Sequence, residues 1–189
     1  MEFKYIGTEL AYDGSQLRSL YAYMNHKLLG DSLIAWVGSC NISKEEMVDG
    51  EDLIAEQEIR GDLMLHFIAE IFDRDLFSGV CLQRLFADIC MSTLKELSPE
   101  KEVAHQLSRA GDDIYFQDRK LSISVATRSP LSTLFHFAVN IVNEGTPVKT
   151  LCLNELKVDA RDFGQQLGSK FCMEYQHILT ATKKVRWVK

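Results

Sequence analysis

Residues 119–142 read Arg-Lys-Leu-Ser-Ile-Ser-Val-Ala-Thr-Arg-Ser-Pro-Leu-Ser-Thr-Leu-Phe-His-Phe-Ala-Val-Asn-Ile-Val and predict two β-strands joined by a short loop. Successive side chains of a strand point to opposite faces of the sheet, so every second residue shares a face. We expect one face of this hairpin to be polar, with Lys120, Ser122, Ser124, His136, Ala138 and Asn140. The opposite face is expected to pack into the core through Leu121, Ile123, Val125, Phe135, Phe137, Val139 and Ile141. The polar face could bind or transform a ligand, although a solvated outer sheet face with this alternation is commoner.

The residues on either side of this hairpin predict further strands and long helices. Leu63–Phe72 is apolar on both faces, which is typical of a central strand that is covered on both sides. The other predicted elements are a helix over 15–26 with Ser15 as its N-cap, strands over 32–37, 114–116 and 148–153, a helix from Asp73 or Asp75 to about Leu97, and a last helix capped by Asp159. Helices packed on a mostly antiparallel central sheet define the α+β class, and we expect residues 1–189 to form a single domain.

The composition is typical of a soluble globular protein, with 46% hydrophobic and 25% charged residues. Lys and Arg number 21 against 27 Asp and Glu, and this net charge of −6 argues against a nucleic-acid partner, whose phosphates a binder must neutralise. Glu2, Lys4 and Glu9 stand where a secretion signal would be apolar. The longest apolar run, 63–72, is too short to span a bilayer. We therefore expect a cytoplasmic protein with no membrane partner.

The cysteines and histidines form no pattern of metal ligands. The five cysteines include no C-x-x-C pair, and the five histidines include no H-x-x-x-H pair, so no metal site is predicted. Residues 44–58 are rich in carboxylates and could bind a metal, but a solvated face or loop is the commoner structure for such a charge run.

Three segments resemble those of known ligases. The predicted helix 15–26 and the following Leu-Ile-Ala-Trp-Val-Gly at 33–38 look like the entry helix and glycine-ended strand of the lipoate–protein ligases. Arg-Gly-Asp-Leu-Met-Leu-His at 60–66 resembles their Arg, Gly-rich and His segment, which binds acyl or acyl-adenylate groups. Asp-Arg-Lys-Leu-Ser at 118–122 resembles their G-R-K-I-x-G motif, and His136 with Asn140 resembles their later H-G-x-x-L-N segment.

As a whole, the sequence resembles an uncharacterised archaeal family, a DUF366-like domain of unknown function. At longer range it is similar to the superfamily of lipoate–protein ligases, biotin–protein ligases and octanoyltransferases, which is related to class II aminoacyl-tRNA synthetase cores. The resemblance implies that fold. It also implies an acyltransferase, or a ligase that forms an acyl-adenylate with ATP, acting on a small carboxylic acid or acyl group. An acyl-acceptor protein is a further partner that the resemblance allows, and an oligomer is one arrangement.

The resemblance also implies roles for individual residues. Lys120 would contact the acyl carbonyl or phosphate during transfer, and Cys152 falls where the transferases carry their nucleophile, with Lys120 lowering its pKa. The substrate-binding residues would be Arg60, Gly61, His66, Ser122, Ser124, His136 and Asn140. Several of them have a structural alternative. Lys120 could be an ordinary surface lysine at the start of a strand, Cys152 a buried thiol, His66 a hydrogen-bonded core residue, and Arg60 a partner of the preceding acidic stretch.

The sequence departs from the ligase pattern where those enzymes carry glycines. Their run of three glycines is reduced to Gly61, followed by Asp62, and a carboxylate at that point would repel a phosphate. Ser124 and Phe137 replace the glycines that follow the lysine and histidine motifs. The alternative function is therefore a non-catalytic ligand-binding or assembly protein on the same fold.

Overall fold

The computed structural model describes residues 1–188, and the elements below all lie within that range. In chain order they are β1 (Glu2–Tyr5), α1 (Tyr21–His26), β2 (Ser32–Asn41), α2 (Gly50–Ile54), β3 (Arg60–Phe72), α3 (Leu76–Leu97), α4 (Lys101–His105), β4 (Ser108–Ala110), β5 (Asp113–Phe116), β6 (Arg119–Lys120), β7 (Ser122–Arg128), β8 (Ser132–Asn140) and α5 (Ala160–Ala181).

The main sheet has five strands in the order β1-β2-β3-β8-β7. Only the β1–β2 pair is parallel, and the other three pairs are antiparallel. A small second sheet has the order β4-β5-β6. The α+β class with a mostly antiparallel sheet is therefore confirmed. The apolar run 63–72 is the middle strand, as predicted, and it is buried on both faces over 64–71.

The two long helices, α3 and α5, cover one face of the main sheet. Phe86 of α3 lies at the centre of this layer, with its ring 5.0 to 5.5 Å from those of Phe67, Phe135, Phe137 and Phe171. Aromatic rings at these tilted and edge-on angles bury large areas and pack favourably. The N-caps predicted for these two helices are present, because Asp75 accepts from Ser78 N and Asp159 accepts from Asp162 N. The N-cap predicted at Ser15 was wrong, since Leu20 occupies that position of α1.

Loops rather than long helices cover the opposite face of the sheet. Tyr12, Trp36 and Ile68 belong to a second buried cluster there, against which Ile42 and Ile59 pack. Trp36 Nε1 donates to the Leu10 carbonyl at 2.9 Å, which fixes the N-terminal loop across the strands. The face that carries the cavities described below is thus closed by segments from before β2 and from between β2 and β3.

Two predicted elements differ from the structure. The helix predicted over 15–26 begins only at Tyr21, because Leu20 adopts φ 63° and its N–H donates to the buried Glu70 carboxylate at 2.9 and 3.0 Å. The strand predicted over 148–153 is reduced to one bridge between Thr150 and Lys120.

The predicted faces of the hairpin were wrong for the two serines. The pleat breaks at Leu121, between β6 and β7, so Ser122 lies opposite Val139 and Ser124 opposite Phe137. A shift of one residue moves every following side chain to the other face. Ile123 and Val125 therefore share a face with Ala138 and His136 instead of facing the helices.

Gly79 of α3 permits a close approach between that helix and β8. A Cβ at this position would overlap the methyl group of Thr133, which is buried and held by a hydrogen bond from its hydroxyl to the Arg74 carbonyl at 2.8 Å. We expect Gly79→Ala to lower the free energy of unfolding by about 1–2 kcal/mol, because overpacking outweighs the gain in helix propensity. Urea unfolding measures this change. Gly50→Ala, in α2 with open space around its Cβ, is the control, and equal stabilities of the two variants would contradict this packing.

Candidate functional site

Two adjacent cavities lie on the sheet face opposite α3 and α5. The first, called here the acidic cavity, has a volume of about 220 Å³, and Tyr12, His136 and several carboxylates line it. The second, called the Arg60 cavity, has a volume of about 160 Å³, and its lining combines Arg60, Lys120, the carboxylates of Asp52 and Glu58, uncharged polar side chains such as Asn140, and apolar side chains. The residues that line both are Asp52, Ile59, Lys120 and Ile123. The predicted catalytic lysine therefore stands at their common boundary.

Lys120 is held in this position by its main chain and by one ion pair. Its N–H donates to the Lys149 carbonyl, and its carbonyl accepts from Leu151 N. Its ammonium lies 2.6 Å from an Asp113 carboxylate oxygen, and about a quarter of each side chain is exposed. Burial raises the pKa of Asp113, and the neighbouring Lys120 offsets part of that rise. The Lys120 ammonium can stabilise a charge that develops on a ligand only if it leaves Asp113 and pairs with that ligand instead.

Asn140 positions the Lys120 segment. Its side-chain amide donates one hydrogen bond to the Lys120 carbonyl at 3.1 Å and one to the Leu151 carbonyl at 3.3 Å. Both N–H groups are thereby used, and only the amide oxygen is left to accept a hydrogen bond. Asn140 thus lines the Arg60 cavity and ties β8 to the two segments that flank it.

His66 and His136 form a buried chain of hydrogen bonds across β3 and β8. His66 Nε2 lies 3.1 Å from the Gly38 carbonyl, and His66 Nδ1 lies 3.1 Å from His136 Nε2. The Trp36 ring stacks on His66 at 5.2 Å, and the Tyr12 ring stacks on His136 at 3.9 Å. Each histidine is at most 1% exposed. His66 is therefore a hydrogen-bonded core residue, and His136 is its link to the acidic cavity.

The partners of this chain determine where the protons lie. A carbonyl can only accept, so His66 Nε2 carries a proton that it donates to Gly38. Burial lowers the pKa of His66 to about 4 and holds that of His136 well below its usual value, so both rings are neutral at pH 7. His66 Nδ1 then accepts from His136 Nε2–H. His136 Nδ1 is left as an unprotonated acceptor in the lining of the acidic cavity.

Carboxylates dominate the lining of the acidic cavity. Among residues 1–188 its acidic lining residues are Glu46, Asp49, Glu51, Asp52, Asp112 and Asp113, and Lys120 is the one cation that faces them. Burial raises the pKa of Asp52, and the neighbouring Asp49, Glu51 and Asp112 raise it further, while Lys120 offsets part of the rise. The cavity therefore has a strong excess of negative charge, which disfavours an anionic ligand.

The remaining predicted substrate-binding residues lie in different places. Arg60 lines its cavity with a half-exposed side chain, whose Nε donates to Glu58 at 3.0 Å, so it also pairs with the acidic stretch. Gly61 is buried within β3, where a Cβ would meet Met64 Sδ at 3.1 Å. Ser122 lines neither cavity, whereas Ser124 lines the acidic cavity, and both hydroxyls are already hydrogen-bonded within the protein. Ser122 accepts from Ile114 N, while Ser124 donates to the His136 carbonyl and accepts from Gln83 Nε2.

Cys152 does not have the environment that its predicted role requires. Its side chain is buried outside the lining of both cavities, and its thiol donates to a Glu155 carboxylate oxygen at 3.6 Å. Burial raises the pKa of this thiol, so the expectation that Lys120 lowers it was wrong. The role of Cys152 as a nucleophile stays a prediction. Within residues 1–188 no cluster of His, Cys, Asp and Glu side chains has the arrangement of a metal site.

Tyr12 and the carboxylates were not among the predicted site residues. Tyr12 precedes β2 by 20 residues and reaches the site through a bridge to Cys40, a pairing that no periodic pattern indicates. One sequence pattern could have indicated Asp113, since Asp112-Asp113 directly precedes the predicted strand 114–116.

The family can be identified by comparison with known proteins. The model of a domain of unknown function, DUF366, matches residues 1–186. The chain belongs to the DUF366 family. An uncharacterised protein of Methanocaldococcus jannaschii, MJ0805, is 27% identical over 164 residues, which are 84% of this DUF366 chain and 72% of the relative. A protein of unknown function from Pyrococcus horikoshi has a solved structure that is 38% identical, with a TM-score of 0.90 over 99% of this chain and 100% of that one.

More distant structures show which enzymes share the fold. The biotin protein ligase of Aquifex aeolicus, solved with biotin and ATP, is 12% identical with a TM-score of 0.58 over 89% of this DUF366 chain and 68% of that one. Ta0514 of T. acidophilum, a candidate lipoate protein ligase solved with lipoic acid, is 14% identical with a TM-score of 0.58 over 94% and 87%. The predicted fold of the biotin and lipoate ligases is confirmed. None of the described helices is long and apolar enough to cross a bilayer.

The histidine chain predicts how stability depends on pH. The pKa values of His66 and His136 are lower in the folded than in the unfolded chain, so below about pH 6.5 only the unfolded chain takes up these protons. The contribution of the two neutral rings to the free energy of unfolding is therefore fully present above about pH 6.5 and decreases as the pH falls below it. We expect the free energy of unfolding to fall by about 2 kcal/mol between about pH 7.5 and 5.5.

Urea unfolding at the two pH values measures this loss. His66→Gln should lose about 1 kcal/mol less than the wild type over the same interval, because one of the two titrating rings is gone. His177→Gln is the control, since that side chain is 76% exposed on α5 and should leave the loss unchanged. A wild-type stability that does not change over this interval would contradict two neutral buried rings.

Proposed function

We propose that this protein is an acyl-transfer enzyme that binds a small carboxylic acid, or its activated acyl group, in the Arg60 cavity. The observation that carries the proposal is the position of Lys120 at the boundary of the two cavities, on a fold shared with the biotin and lipoate ligases. The solved ligases hold biotin and lipoic acid, which are small carboxylic acids with long apolar parts.

The lining of the Arg60 cavity suits such a ligand. Met64, Ile123 and Val148 provide apolar surface for an acyl chain, and Arg60 and Lys120 provide cations for its carboxylate or carbonyl oxygen. A positioned cation stabilises the negative charge that develops on that oxygen during transfer. Arg60 must leave Glu58, and Lys120 must leave Asp113, to make these contacts.

Activation of the acid by ATP is one form of this function, and transfer of a preformed acyl group is the other. The segment that resembles the ligases' glycine-rich loop favours the second form. Its Asp62 N–H donates to the Glu144 carbonyl at 3.1 Å, and the Asp62 side chain packs against Gly145, so a phosphate would meet a carboxylate instead of free N–H groups. In either form the protein acts in the cytoplasm, and the acceptor is an amine of a protein or of a small molecule.

Lys120→Gln is the direct test of the proposed catalytic residue. We expect the variant to lose activity by about 100-fold, as when one group that stabilises a developing oxyanion is removed. The assays are ATP–pyrophosphate exchange with lipoate, octanoate, biotin and amino acids, and acyl transfer from octanoyl-pantetheine to an amine. Circular dichroism confirms that the variant is folded. Lys149→Gln is the matched control, because Lys149 is exposed, pairs with Asp118 and lines neither cavity. Equal turnover by the wild type and Lys120→Gln would contradict the assignment.

A non-catalytic ligand-binding protein is the second candidate. The environment of Cys152 favours it, because a buried thiol with a raised pKa, bonded to a carboxylate, is a poor nucleophile. Calorimetric titration with the same acids distinguishes the two candidates. Saturable binding of one acid, with turnover in neither assay, would support the binder and contradict the enzyme.

A further inference from the structure

The charge of the acidic cavity is opposite to what a phosphate or carboxylate ligand requires. Six carboxylates line it, and Lys120, the one cation among residues 1–188 in that lining, is already paired with Asp113. Asp112 accepts a hydrogen bond from Gln83 at 2.7 Å, and Asp49 caps α2. Asp52, in contrast, is half-buried and has no cationic partner within hydrogen-bonding distance among the described residues.

Two polar side chains in the lining add a second and independent observation. Tyr12 is 2% exposed and His136 is 1% exposed, and both line the cavity. Within residues 1–188 no hydrogen bond is formed by the Tyr12 hydroxyl or by His136 Nδ1, so both atoms are available to a ligand. Both of these groups can accept a hydrogen bond, and His136 Nδ1 can only accept, because the hydrogen-bond chain through His66 to Gly38 keeps that nitrogen bare.

We propose that the acidic cavity binds the primary ammonium group of a small organic amine. An ammonium carries one positive charge and three N–H donors, which match the Asp52 carboxylate, His136 Nδ1 and the Tyr12 hydroxyl. Ile123 and Val125 supply apolar surface for the carbon chain of the amine. The volume of about 220 Å³ fits a small molecule.

This site has a consequence for the proposed acyl transfer. If the Arg60 cavity holds the acyl donor, the ammonium site lies beside it across Lys120. After giving one proton to the Asp52 carboxylate, the free amine would attack the donor carbonyl, form the amide bond and release the thiol or adenylate leaving group of the donor. That consequence rests on the proposed function. Binding of the amine does not rest on it, because it requires neither an acid nor ATP and is measured without turnover.

The test is calorimetric titration of the whole chain with n-butylamine at neutral pH. n-Butyltrimethylammonium has the same charge but no N–H donors, and n-butanol has a donor but no charge. We expect saturable binding of n-butylamine, with affinity at least about 10-fold higher than for either analogue, because a hydrogen bond to a charged group contributes about that factor. Comparable affinity for n-butyltrimethylammonium would overturn the proposal in favour of a non-specific negative surface, and absence of saturable n-butylamine binding would overturn it outright.

Two variants locate the site without removing its framework. Asp52→Asn removes one charge, and Tyr12→Phe removes one hydroxyl but keeps the ring that stacks on His136. Each should weaken n-butylamine binding by about 10-fold. The matched controls are Glu174→Gln on α5 and Tyr23→Phe on the exposed side of α1, neither of which lines the cavity, and both should bind as the wild type does. Full binding by Asp52→Asn and Tyr12→Phe would place the amine elsewhere and overturn the assignment.

Discussion

The hydrogen-bond chain from Gly38 through His66 to His136 is the constraint on which this face of the sheet depends. A buried imidazole without partners would cost about 1–3 kcal/mol for each unsatisfied group. Gly38, His66 and His136 lie on three neighbouring strands, so their pairing fixes the relative positions of β2, β3 and β8 where the site is built. The hydrogen-bond chain also fixes the tautomer of His136. Nδ1 of this residue, which lines the cavity, therefore accepts a hydrogen bond and does not donate one.

The two faces of β3 have different roles in the structure. The face against α3 and α5 is packed with aromatic rings around Phe86 and holds the fold together. The other face is closed by loops, which leave cavities on either side of Lys120. The break in the pleat at Leu121 makes this arrangement possible, because it directs Lys120 to the cavities while Leu121 enters the core.

Periodicity and capping predicted much of the fold from sequence. The two-faced apolar run gave β3, and Asp75 and Asp159 marked the starts of the long helices. Alternation also placed Lys120 and His136 on one face. It failed for Ser122 and Ser124 because a single irregular residue exchanges the faces of a strand, and no local pattern marks that residue. Tyr12 could not be predicted, because its place depends on a contact between distant parts of the chain.

The fold is shared with ligases that bind small acids, whereas the acidic cavity has the charge of a site for a cation. The neutral His136 connects the sheet of this fold to the acidic cavity, because its unprotonated Nδ1 can accept a hydrogen bond from a cationic ligand. Nitrogen-15 NMR of the imidazole rings at neutral pH tests this claim most directly, with His136→Gln and His66→Gln used to assign the signals. The account predicts that His66 and His136 are both neutral and protonated at Nε2. A proton on His136 Nδ1, or a positive charge on either ring, would contradict it.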